Sequence, residues 1–220
     1  MADIETEVVD GVHVVRMQAG ENRFNGAFVE TLDEVTASVE EAAAPLVLTG
    51  EGKFFCNGLD LDWLGGDGAG AGAEAMFPRL YGILARLLAF PAPTVAAVNG
   101  HAFGAGAILA AAADHRVMRE DRGFFCFPEV DLGMTMSPEF DALLRARYPR
   151  RTHVEALATG QRYGGPEAMR AGLVDHAVPT DDLLATAIAM AAAHAGKDGT
   201  YVRALKAQVH APELKVLLPS

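Results

Sequence analysis

Residues 94–133 read TVAAVNGHAFGAGAILAAAADHRVMREDRGFFCFPEVDLG. A β-branched apolar run over residues 94–98 stops at Asn99-Gly100, and a turn containing Gly104 and Gly106 opens an alanine-rich helical segment. A second short strand (residues 115–118), a charged turn and a third strand (residues 124–127) come next, and the third delivers Pro128-Glu129. The pattern is strand, glycine turn and helix N-terminus, where backbone N–H groups lack helical partners and negative charge is favoured. Glu129 arrives behind Phe124, Phe125, Cys126 and Phe127, a setting expected to desolvate its carboxyl and raise its pKa. Donors aimed at a developing oxyanion, plus one base, are the minimum for removing a proton next to a carbonyl. The competing reading of Glu129 is an ordinary turn carboxylate.

The rest of the chain sets bounds on this reading. At 220 residues and 50% hydrophobic content it can bury a sizeable core as one domain. A net charge of −11 without a Lys/Arg cluster argues against nucleic acid and anionic membrane surfaces as partners. Cys56 and Cys126, the only cysteines, both sit in apolar runs and are expected to be buried free thiols. The acidic start MADIETEVVD lacks the apolar core of a signal peptide. The apolar stretch 102–113 is too short and glycine-rich to span a bilayer. The terminal Leu-Leu-Pro-Ser is not a peroxisomal tripeptide, and a cytoplasmic protein is the expectation.

Taken in order, residues 7–9 and 12–17 flank Asp10-Gly11, a hairpin signal. A helix is expected from Gly26, with Phe28, Leu32, Val35 and Val39 on one face, stopped by Pro45. Residues 46–49 read as a buried strand, residues 54–56 as another broken by Asn57-Gly58, and residues 59–64 as the start of a short helix. The run GGDGAGAG at residues 65–72 reads equally as a flexible linker or as a mobile lid. Further helices are expected over residues 76–90, from the Ser137-Pro138 cap to Tyr148, and over residues 150–159, 166–171, 181–194 and 201–209, with a strand over residues 173–178. Periodicity alone gives an α/β protein of one domain.

The glycine turn, FCNGLDLDWL, CFPEVDLG and the segments from GENRFNGAFVETL to GLVDHAV together resemble the crotonase (enoyl-CoA hydratase/isomerase) superfamily, most closely plant-type 3,2-enoyl-CoA isomerases. The resemblance implies a ClpP-like spiral of strand–strand–helix repeats in residues 1–148. It implies a helical, oligomerising region in residues 149–220, within one family domain and a homotrimer or dimer of trimers. It further implies an acyl-CoA thioester as substrate, with coenzyme A part of the substrate and no separate cofactor. Glu129 falls on the Pro-Glu position of the catalytic glutamate, and the backbone N–H groups of Leu59 and Ala105 on the oxyanion positions. Lys53, Phe55, Asn57, Gly58, Asp60, Leu61, Gly104, Ile108 and Met134 fall along the substrate and coenzyme A site. Ile108 takes the place of a second glutamate that hydratases carry, which implies isomerisation rather than water addition.

Other candidates carry plainer readings. Asp131 and Glu139 are alternative bases, but also suit a strand end and a first helical turn. His101 is a pocket residue or a hydrogen-bonded structural histidine. Asp60 and Asp62 have ligand-like spacing without His or Cys, so no metal is expected. Lys53, and Lys206 or Arg203 of the tail, are candidates for the coenzyme A phosphates. The apolar tail residues Leu183, Leu184, Ile188, Leu205 and Val209 point to an oligomer. Other crotonase chemistries (hydratase, hydrolase, decarboxylase) and a non-catalytic acyl-CoA-binding role remain as alternatives.

Overall fold

The computed structural model describes residues 3–218. Met1 and Ala2 of the acidic start, and Pro219 and Ser220 of the terminal tripeptide, lie outside the described residues. The first hairpin joins β1 (Ile4–Val9) to β2 (Val12–Met17) through Asp10 and Gly11, both at positive φ, the backbone such a tight turn requires. From β2 onward the large sheet is parallel, in the order β1-β2-β3-β5-β7-β9, with β3 (Leu46–Gly50), β5 (Thr94–Val98), β7 (His115–Arg119) and β9 (His176–Val178). The runs LVLTG and TVAAV are buried along their whole length, as strands covered on both faces must be.

A second sheet of three short parallel strands, β4 (Phe54–Cys56), β6 (His101–Phe103) and β8 (Phe125–Cys126), runs beside it. Each turn of the spiral is therefore a large-sheet strand, a small-sheet strand and helix. β3 and β4 are followed by α2 (Leu61–Gly65) and α3 (Ala71–Leu88), β5 and β6 by α4 (Ala105–Ala112), and β7 and β8 by α5 (Pro138–Arg147). The main core lies between the sheets, these helices and α1 (Gly26–Glu41). On the outer face of the large sheet, Val12, Val47, Val95 and Val117 meet Leu183, Ala187 and Ala191 of α8 (Leu183–Ala193). Burying side chains of valine or leucine size contributes about 1.5–3 kcal/mol each.

Local chemistry explains the helix starts. Asn25 accepts from Phe28 N at 3.0 Å and Ser137 from Phe140 N at 3.3 Å, each supplying an acceptor for an otherwise unpartnered donor. Gly160 (φ 60) and Gly172 (φ 75) close α6 (Arg150–Thr159) and α7 (Gly165–Ala171) in the left-handed conformation. The tail continues into α9 (Gly199–Val209) and α10 (Ala211–Leu217).

Several elements differ from the sequence expectation. α3 starts at Ala71 rather than residue 76, so the glycine run is mostly turn and ends inside the helix. The turn folds over the only tryptophan: a Cβ on Gly68 would stand 2.3 Å from a Trp63 ring carbon. β6 is hidden between Asn99-Gly100 and the glycine turn, too short to show a period. β8 and β9 are shorter than expected, although Phe124 O still accepts from Ala102 N at 2.9 Å and Asp175 N still donates to Arg116 O at 2.9 Å. α10 begins beside Pro212, a first-turn proline whose helix is too short to show a clear period. Leu183, Leu184 and Ile188 pack against the large sheet of their own chain, so they need no partner subunit. No helix among the described residues is long and apolar enough to cross a membrane.

Candidate active site

The three strands of the small sheet are parallel, with Cys56 beside Ala102 beside Phe125 and Phe103 beside Cys126, and the register shifts by one residue between Phe54 and Cys56. Parallel neighbours deliver their C-terminal continuations to one edge. The segments after β4, β6 and β8 thus bring Asn57-Gly58-Leu59, Gly104-Ala105 and Pro128-Glu129 together. These residues line one pocket, closed by Leu61, Leu132 and Met134.

The register is held by two asparagines. Asn22 donates to Met17 O at 3.2 Å and Phe55 O at 2.9 Å and accepts from Ala19 N at 2.8 Å. Asn99 accepts from Gly50 N at 2.8 Å and donates to Phe54 O at 3.2 Å. The two side chains brace β4 against the large sheet, which fixes where Leu59 falls. Gly106 has no room for a side chain, since a Cβ there would stand 2.2 Å from Cys56 O. That contact sets α4 directly on β4.

Leu59 and Ala105 both line the pocket, and the backbone around each leaves its N–H outside the local pairing. Ala105 is the first residue of α4, so its N–H has no partner within the helix. Its predecessor Gly104 has φ 50 and ψ −122, a backbone that glycine adopts without strain. At the other donor, Phe24 N bonds Gly58 O at 2.8 Å and Asp60 N bonds Phe24 O at 3.0 Å. This parallel bridge leaves the N–H of Leu59 on the opposite side from Phe24. A Cβ on Gly58 would stand 3.3 Å from Ala105 N, so the two donors are near neighbours.

Glu129 is the only ionisable side chain lining this pocket among the described residues. Burial pushes its pKa above the ordinary carboxyl value, and its Oε2 is buried without a hydrogen-bond partner. A buried carboxyl oxygen without a partner is free to take up a proton from whatever enters. Neither alternative base lines the pocket. Asp131 turns toward Gly160, where a Cβ would meet its Oδ2 at 2.8 Å, and Glu139 occupies the first turn of α5.

The other sequence candidates divide. Asn57, Gly58, Leu61, Gly104 and Met134 line the pocket. Asp60 caps α2, accepting from Trp63 N at 3.1 Å. Phe55 and Ile108 are fully buried in the core and do not reach the pocket surface. Lys53 lies over the Phe54 ring, 5.5 Å from its centroid, and borders a separate groove with Glu21 and Glu51. His101 packs among Phe54, Phe103 and Phe124, away from the pocket. Burial and the nearby Lys53 lower its pKa. Lys206 is paired with Asp114 and Arg203 with Glu40, so both tail cations are engaged within the chain. Asn22 and Asn99 escape sequence reasoning as site-builders, because a structural asparagine leaves no spacing signal.

Residues 7–217 match the family described as enoyl-CoA hydratase/isomerase. The chain is similar to the peroxisomal enoyl-CoA delta isomerase 2 of Arabidopsis thaliana, 40% identical over 166 residues covering 72% of this chain and 69% of that protein. It is also similar to carnitinyl-CoA dehydratase of Proteus mirabilis, 35% identical over 169 residues covering 73% of this chain and 60% of that protein. Among solved structures, a probable enoyl-CoA hydratase of Mycobacterium tuberculosis superposes with a TM-score of 0.90 at 27% identity, covering 98% of this chain and 92% of that one. The architecture is the crotonase fold.

Proposed function

The chain belongs to the enoyl-CoA hydratase/isomerase family, and from that premise we propose that it is a 3,2-enoyl-CoA isomerase working through one glutamate. The observation that carries the reading is a pocket lined by Leu59 and Ala105, with Glu129 as its only ionisable side chain among the described residues. In this reading the Glu129 carboxylate removes a proton from C2 of a 3-enoyl-CoA. The electron pair moves onto the thioester oxygen as a dienolate, which the N–H groups of Leu59 and Ala105 hold. The carboxyl, now protonated, returns the proton at C4, and the double bond closes between C2 and C3.

The energetics favour this division of labour. A donor poised for the oxyanion typically lowers a barrier by about 2.7–4 kcal/mol. A carboxyl with a raised pKa accepts and returns a proton more evenly than an exposed one. Water addition asks for more, one group to take the water's proton and a second to orient the water or protonate the α-carbon. Asn57, the remaining polar side chain of the lining, is engaged with Glu21 at 2.8 Å, and Ile108 offers no polar atom. The relatives named as hydratase and dehydratase support a second reading, hydration of 2-enoyl-CoA. Incubation with 3-hexenoyl-CoA and identification of the product separates the two, and no turnover of either thioester would favour a binding role.

The substrate's coenzyme A supplies the only cofactor chemistry in this proposal, with Lys53 as the cation available for its phosphates. The proposal also includes a trimer-based assembly. It rests on α9, where Tyr201, Leu205 and Val209, spaced one turn apart, are 70%, 63% and 72% exposed.

A further inference from the structure

The last two helices are held to the rest of the chain by few groups. α9 has no fully buried residue, and α10 has one, Leu217, which enters the main core with the partly buried Leu214 against α3 and α5. Elements with so little buried surface open at a smaller free energy than the sheets beneath them. Polar contacts supply the rest of the attachment. Lys206 of α9 donates to Ala92 O at 2.8 Å and pairs with Asp114, while Arg203 pairs with Glu40.

His210 stands at the joint between the two helices. Its N–H donates to Lys206 O at 2.9 Å, ending α9, and its carbonyl accepts from Leu214 N at 2.9 Å, starting α10. The imidazole is turned inward, only 12% exposed, and its Nδ1 is buried without a hydrogen-bond partner. The charged groups around it come from α5, α9, α10 and the turn between α4 and β7. Glu213 of α10 places Oε2 3.5 Å from Nδ1. Arg147, at the end of α5, donates to the backbone carbonyls of Ala113 at 2.6 Å and Asp114 at 2.7 Å. Lys206 lies one turn earlier on α9, and the Asp114 carboxylate is already taken by Lys206 and by Thr94 N at 2.9 Å. A proton on the imidazole is therefore an added cation beside Arg147 and Lys206, sheltered from water, with Glu213 as the acid left to offset it. Burial and Arg147 lower the pKa of His210 from 6.5, and Glu213 and Asp114 offset this only in part.

We propose that His210 is a pH-sensitive latch on the C-terminal helices: neutral, it lets α10 lie against α3 and α5, and protonated, it drives the joint away from Arg147 and releases α10 with Leu217. The sign follows from linkage. The docked tail holds this proton less tightly than a released one, so docking is favoured above 6.5 and weakens as pH falls through the lower, docked value. One proton shifts such an equilibrium at most about tenfold per pH unit. The latch is independent of the reaction performed in the Glu129 pocket.

Hydrogen exchange on the full chain, corrected for the intrinsic effect of pH, reads the tail directly. Between about pH 7.5 and 5.5 the protection of the α10 amides should fall by at least about twofold and at most about tenfold. His210→Gln should hold that protection level over the same range. His194→Gln, at an exposed position ending α8, should leave the fall as in the wild type. Protection of α10 that ignores pH in the wild type, or the same fall in His210→Gln, would overturn the latch. A second reading needs no variant to fold: by NMR, His210 of the wild type should titrate below 6.5. Titration above that value would mean that Glu213 holds the proton within the docked joint, and would overturn the latch as well.

Discussion

A Cβ built on Gly104 would stand 3.4 Å from Oε1 of Glu129, so the candidate base lies against the residue immediately before the donor Ala105. The candidate base and the candidate donor are thereby held near one another by two adjacent strands, β6 and β8. Catalytic geometry of this kind is sensitive to backbone shifts and tolerant of surface change.

The Glu129→Gln variant should lose turnover by at least about 10²–10⁴, because the same group both removes and returns the proton. Affinity for a saturated acyl-CoA should stay within a few fold. The folded pKa of Glu129 is raised above 4.5 by burial, so the folded state holds this proton more tightly than the unfolded chain. The penalty of a buried carboxylate is therefore absent at low pH and grows as pH rises through the folded pKa. Glu129→Gln should melt higher than the wild type at neutral pH, the gap narrowing as pH falls toward 4.5. The acid limb of kcat/KM for the wild type should lie above that value. Near-normal turnover in Glu129→Gln would displace this residue as the base.

Alanine at the two turn glycines should separate geometry from folding. Gly104→Ala adds a Cβ at an ordinary distance from Glu129 but strains a backbone at φ 50, costing about 1–3 kcal/mol. Gly106→Ala drives a Cβ to 2.2 Å from Cys56 O and must push α4 off β4. Thermal melts should show Gly106→Ala as the more damaging, with turnover lost in both. Equal, mild melts would contradict the close seating of α4 on β4.

Removing the Asn22 side chain leaves Met17 O, Phe55 O and Ala19 N without their partner. Asn22→Ala should cost about 3 kcal/mol, lowering Tm by roughly 10 °C. A change within about 2 °C would mean that β4 is held by other means.

The distribution of what the chain reveals by itself tracks the range of the interactions. Strands β3 and β5, the caps at Ser137 and Gly160, and the Asp10-Gly11 hairpin depend on neighbours in sequence, and their residues announce them. Glu129 stands out for the same reason, behind four apolar residues. The convergence of Leu59, Ala105 and Glu129 depends on three parallel strands of two or three residues. Their register carries no period in the chain, and only resemblance to a known family suggests it. Ile108 illustrates the limit. Its type is informative, yet only the packing places it in the core below the pocket and not on its wall. The tail departs from expectation for a similar reason, since an amphipathic helix shows an apolar face without showing whether its own sheet covers it.

Tyr201, Leu205 and Val209 remain uncovered on α9, and light scattering at micromolar concentration should show a trimer or a multiple of it. Leu205→Asp/Val209→Asp should weaken that assembly without unfolding the protomer. A wild type that is cleanly monomeric would remove the assembly proposal.

The most direct test of the single-glutamate account supplies 3-hexenoyl-CoA and, separately, 2-hexenoyl-CoA to the protein in heavy water and identifies the products. The account predicts 2-hexenoyl-CoA from the first, with only partial deuterium at C4, because a sheltered Glu129 returns part of the original proton before solvent exchanges it. From the second it predicts almost no 3-hydroxyhexanoyl-CoA. Hydration as fast as isomerisation would mean that a second group activates water in this pocket, and would contradict the account.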